Sequence, residues 1–147
     1  MKALSTLWFA LLLACVVGAT ASAATKAPPV SAADARAVRT VIESQLDAFA
    51  ADEAERAFSF AAPSIRQMFG TSERFMAMVK RGYPVVYRPA SVAFLKPLTI
   101  EGGVLQEVQL TDADGEVWIA SYRMQRQRDR SWRIGGVELA QGQARAI

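Results

Sequence analysis

The sequence predicts an α+β domain: N-terminal helices packed on a curved antiparallel sheet of about four strands. Three observations predict it. Apolar residues recur at helical spacing between Val38 and Val79, they alternate between Val104 and Leu139, and Asp114-Gly115 marks a hairpin between two alternating runs. Helices gathered first and strands second is the α+β order.

The elements follow in turn. Thr25 to Val30 (TKAPPV) reads as a linker, and residues 31–147 as one domain. Ser31 is placed as an N-cap, with Asp34 at the third helical position. Val38, Val41, Ile42, Leu46 and Phe49 then form one apolar stripe, while Arg39, Glu43 and Asp47 share the opposite side. Asp52 with Glu55 repeats the capping signature and opens a second helix through Phe58 and Phe60, which Pro63 stops. Ser64 to Phe69 is a short helical turn closed by Gly70. Thr71 caps a further helix that shows Phe75, Met78 and Val79 on one face and ends at Gly82.

Beyond Gly82 the period changes. Tyr83 to Arg88 is expected to be extended, with Tyr83, Val85 and Tyr87 pointing one way. Ser91 to Leu98 alternates weakly. Val104, Val108 and Leu110 share a strand face, TDADGE (Thr111–Glu116) turns, and Val117 to Gln127 presents Trp118, Ala120, Tyr122 and Met124 on one side. A second turn falls at Arg128–Ser131. Trp132 and Ile134 begin the last strand, and Val137 and Leu139 finish it on the opposite parity. Gly135-Gly136 between them can hold a bulge that restores the face. Trp118 and Trp132 are expected in the core of adjacent strands. A curved sheet wrapping the Val38–Phe49 stripe makes a cone with an open mouth.

The first residues belong to a different class. Lys2, the apolar run Leu4–Val17 and Ala21-Ser22-Ala23 read as an export signal, residues 1–23, cut between Ala23 and Ala24. The protein is then expected in the periplasm or secreted, with no membrane span in the mature chain. Leu12-Leu13-Ala14-Cys15 offers an alternative, a lipoprotein acylated at Cys15. Cleavage at Ala23 removes the one cysteine, so no disulfide is expected. With no histidine in the 147 residues, Ser-His and Cys-His catalysis and His/Cys zinc sites are excluded. A net charge of +3, about +2 without Lys2, is too small to argue for nucleic acid. No metal and no cofactor are expected.

Val41 to Pro89, with VQLTDADGEVW and SWRIGGVEL further on, resembles a family of short secreted bacterial proteins known only as a domain of unknown function. The order of elements is also similar to the cone-shaped superfamily of nuclear transport factor 2 and ketosteroid isomerase. That likeness implies a fold and a pocket and carries no activity.

Candidate site residues fall in two groups. Tyr83, Tyr87, Tyr122 and Trp118 could line a ligand pocket, giving ring faces and hydroxyl donors. Arg126, Arg128 and Arg130 stand among the five arginines of RMQRQRDRSWR. They could contact an anion, or keep a hairpin soluble and guard a sheet edge. A general base would come from Glu43, Asp47 or Glu138, each placed on a solvated face. Asp112 and Asp114 vaguely resemble a calcium loop but lack its remaining ligands, and the hairpin accounts for them. The expected function is therefore a non-catalytic module that binds an apolar small molecule or a protein partner. The alternatives are a small Tyr/carboxylate isomerase or dehydratase, and a structural accessory protein that forms a homodimer through its sheet.

Overall fold

The computed structural model describes residues 26–142. The export signal, the Ala23/Ala24 cleavage point and Cys15 lie outside the described residues.

Helix α1 spans Ala32–Ala50. Its start is the expected one: the Asp34 N–H donates to Ser31 Oγ at 3.1 Å. Val38, Ile42, Leu46 and Phe49 are buried along one stripe, joined by Gln45. Arg39 pairs with Glu43 one turn on, across solvent. Helix α2 (Ala54–Ser59) departs from the expectation at its first residue. Glu53, not Asp52, occupies the N-cap, and Asp52 adopts a left-handed backbone at φ 56°. Asp tolerates that conformation better than most residues, and its carboxylate is used elsewhere.

Two prolines expected to stop or stiffen the chain open helices instead. Pro63 begins α3 (Pro63–Phe69), and Pro84 begins α5 (Pro84–Tyr87). At the first helical position a missing N–H costs nothing and the fixed φ already suits the turn. Tyr83–Arg88 is thus not extended. Tyr83 is the cap of α5, and Val85 and Val86 are both buried, which strict alternation would not allow. Helix α4 (Ser72–Gly82) lies between them, capped by Thr71 as expected, with Phe75, Met76 and Val79 buried.

The sheet is open and antiparallel, with five strands rather than about four. The expected first strand, Ser91 to Leu98, ends early as β1 (Ser91–Phe94), and an unexpected short strand, β2 (Leu98–Ile100), follows it; both pair with β3 (Gly103–Thr111) along the same edge. Pro97 in the gap cannot donate to a ladder. The buried Gln106 side chain fills the break, its amide donating to Leu95 O at 2.7 Å and Glu107 O at 2.9 Å. β4 (Val117–Arg126) and β5 (Trp132–Gln141) complete the order β1-β3-β4-β5.

Strand parity follows the sequence. Val104, Val108, Leu110, Ala120, Tyr122 and Met124 are buried on the inner face. The bulge is also where the glycines put it: Arg123 pairs with Gly136 and Met124 with Ile134, leaving Gly135 as the extra residue. Trp132 and Ile134 before it, and Val137 and Leu139 after it, therefore share the inner face. Trp132 is in the core as expected, whereas Trp118 is half-buried at the far end of β4. Helix α1 and the inner face meet in one apolar cluster. Full burial of a side chain such as Ile42 or Phe49 there contributes roughly 1.5–3 kcal/mol. The chain between α2 and α3 is fastened to β5: Ile134 N–H donates to Phe60 O at 2.9 Å, and Ala62 N–H to Ile134 O at 2.8 Å.

Candidate functional site

The helices do not close completely over the sheet. A half-open cavity of about 250 Å³ is left where they converge on β5. Its floor is Ile134, Gly136 and Val137 of the bulged strand. Gln45 and Phe49 of α1 form one wall, and Phe75, Met78 and Val79 of α4 another. Ile65, Met68 and Phe69 of α3 form the outer rim, and Tyr83 and Val86 close the end. Helix α3 has no fully buried residue, and Met68 is 72% exposed. Apolar side chains at helical spacing on a short helix are thus spent on lining the opening. Phe75 holds the wall rigid through ring contacts with Phe49 at 6.0 Å, Phe58 at 5.3 Å and Phe69 at 5.6 Å. Gln45 supplies a polar lining group, and its amide is anchored by donating to Ala57 O at 3.1 Å.

Tyr83, Tyr87, Tyr122 and Trp118 are not brought together. Tyr83 lines the cavity. Tyr87 donates its hydroxyl to Asp52, and its ring centroid lies 5.1 Å from Lys80 Nζ and 4.8 Å from the Arg88 guanidinium. Tyr122 is fully buried in the core, and its hydroxyl has no hydrogen-bond partner. Burial raises its pKa. Trp118 borders a separate groove beside Arg88 and Leu139 and donates to Asp112 Oδ2 at 3.0 Å.

Asp52 gathers the strongest polar cluster. Tyr87 OH donates to it, Lys80 Nζ lies 3.0 Å from Oδ1, and Arg88 Nη2 lies 3.0 Å from Oδ2. The Tyr87 hydrogen bond and then Lys80 hold the Asp52 pKa below its ordinary value, while Asp52 raises that of Lys80. The cluster ties the α1–α2 turn to α4 and α5.

The arginine hairpin separates into two roles. Arg126 pairs with Asp34 at the start of α1 and lies 5.0 Å over the Trp132 ring, whose Nε1 also donates to Asp34 at 3.3 Å. It is a fastening between hairpin and helix. Arg128 and Arg130 stand exposed on the turn, Arg130 with a left-handed φ of 70°. Glu43 and Asp47 lie on the solvated side of α1, and the exposed Glu138 faces Arg123 at 3.5 Å.

A family model spans residues 31–147. The chain belongs to the family described as Domain of unknown function (DUF4864). The DUF4864 match runs from the N-cap of α1 through all five strands. No curated protein and no solved structure matches the chain significantly. Among the described residues no group of His, Cys, Asp or Glu could hold a metal ion, and no helix is long and apolar enough to cross a membrane.

Sequence reasoning missed most of the DUF4864 cavity. Gln45 stands three residues after Ile42 and four before Phe49, so helical spacing alone puts it on the buried stripe. Ile65, Met68 and Phe69 carry the same i, i+3, i+4 signal on α3.

Proposed function

We propose that this chain is a non-catalytic binding module whose cavity takes a small apolar molecule. The observation that carries the reading is the cavity's lining: aromatic and aliphatic side chains from four helices and β5, with Gln45 and Tyr83 as polar groups. Such a surface gains by exchanging water for an apolar ligand. Among the described residues no carboxylate is buried, and the buried polar side chains are Gln45, Gln106 and the Tyr122 phenol. The carboxylate that meets a tyrosine is Asp52, which is exposed, lowered in pKa and held by two cations. A weakened base of that kind suits a fastening better than proton abstraction. The outer sheet face carries Gln109, Arg123, Gln125 and Glu138 in exposed positions, which disfavours dimerisation through it.

The helices-first order and the cavity between helices and sheet support kinship with the nuclear transport factor 2-like cones. The N-terminal 23 residues support export, and the protein would meet its ligand outside the cytoplasm. Native mass spectrometry of protein isolated from its own cellular compartment tests the binding role. The folded wild type should carry a small adduct, and Val137→Phe, which fills the floor, should lose it at an unchanged denaturant midpoint. A wild type with no adduct and no uptake of an apolar dye would overturn the reading.

A further inference from the structure

We propose that the cavity's ligand is a single-chain amphiphile with an anionic head, its tail in the cavity and its carboxylate at the Arg74–Arg81 edge of α4. This rests on the cavity being a ligand site and adds the chemistry of what enters it. Arg74, Met78 and Arg81 follow one another at i, i+4 and i+7, so they share one face of α4. Met78 lines the cavity, and the two arginines, which do not line it, stand exposed on the same helix face to either side of Met78. Neither forms an ion pair among the described residues.

Charge balance along α3 and α4 is one-sided. Arg66 follows Ile65 on the facing helix α3 and lies 5.6 Å over the Phe58 ring, also without a carboxylate partner among the described residues. Glu73 is the one acidic side chain on α3 and α4. It is turned into its own helix start: the Glu73 N–H, then Thr71 and Ser72, hold its pKa down. Lys80 is already taken by Asp52.

Arg74 is the most telling of these groups. It lies in the first turn of α4, where the helix dipole disfavours a cation and favours an anion. Its Nη1 reaches back over the α3–α4 turn, 4.0 Å from where a Cβ on Gly70 would stand. The helix start is already capped by Thr71 and Glu73, so an anion beside Arg74 would answer the guanidinium alone, and Arg forms paired hydrogen bonds with a carboxylate. The same molecule's tail would run past Met68 and Met78, whose flexible side chains adapt to varied apolar shapes. A cavity of about 250 Å³ suits one medium-length chain rather than two.

Isothermal titration of the folded protein with decanoate and with decan-1-ol tests the head against the tail. Decanoate should bind at least tenfold more tightly, with an advantage that shrinks as salt rises. In the Arg74→Gln/Arg81→Gln double variant, with an unchanged thermal midpoint, that ratio should fall to near one. Equal binding of the two probes by wild type, or a ratio kept by the double variant, would overturn the anionic head and leave the apolar cavity standing. Failure of both probes to bind would overturn the cavity reading as well. Binding to phosphatidylglycerol vesicles without binding of decanoate would assign the arginines to a membrane surface and also sink the proposal.

Discussion

The Tyr122 hydroxyl is a polar atom sealed in an apolar interior with nothing to bond. Burying such a group unpaired costs about 1–3 kcal/mol. Tyr122→Phe keeps the ring and removes the cost, so the variant should be about 1 kcal/mol or more stabler in urea unfolding. A loss of stability would show that the hydroxyl has a partner in solution. Titration gives the same residue a second signature. The folded pKa is raised above the unfolded value of about 10. Stability from the neutral phenol is therefore complete below that value and declines as pH rises through the window above it. The Phe variant should lack this share of the alkaline decline. Asp52 shows the opposite economy of placement: one residue in an uncommon backbone conformation engages a phenol and two cations.

At the scale of elements, local chemistry was legible where one signal has one meaning. Ser31 and Thr71 cap the helices they were expected to cap, and the alternation through Val117–Arg126 gave the buried face of β4. Proline has two meanings, breaker and helix opener, and Pro63 and Pro84 act as openers. Weak alternation over Ser91 to Leu98 does not show that β1 stops at Phe94 and β2 begins at Leu98, because the gap is bridged by Gln106, a residue eleven positions from the carbonyl it caps. Such a partner is invisible in a local window. Trp132 ties several of these elements together, with its ring under Arg126 and its Nε1 on Asp34 of α1. Trp132→Ala should cost about 3–5 kcal/mol, the usual penalty for emptying a large aromatic site. The check is the urea midpoint, and an unshifted midpoint would contradict the burial of the ring.

For the whole molecule, the order of helices and strands was legible, and so was the covering of the sheet by α1. The cavity was not. Its residues come from four helices and one strand, and their convergence depends on how α3 and α4 dock on the bulged β5, which no spacing encodes. Each tyrosine has the ring and hydroxyl to line a pocket. Tertiary packing sent Tyr83 to the cavity, Tyr87 to a fastening and Tyr122 to the core. The export reading belongs to this scale too. Intact mass of the protein recovered outside the cytoplasm should correspond to a chain beginning at Ala24. A mass carrying acyl chains on Cys15 would establish the lipoprotein instead.

The broken edge formed by β1 and β2 has a consequence for crowded solutions. An unbroken border strand offers a regular row of amides on which a neighbour can polymerise. Here that row is interrupted at Leu95–Pro97, between two short strands, where a proline has no hydrogen to offer. On the opposite border, Ile134 is occupied by the chain between α2 and α3. A second copy meets a break in the ladder at the first border and an already paired residue at the second. The molecule therefore carries, in its backbone, a brake on fibre growth that does not depend on surface charge and should persist in high salt.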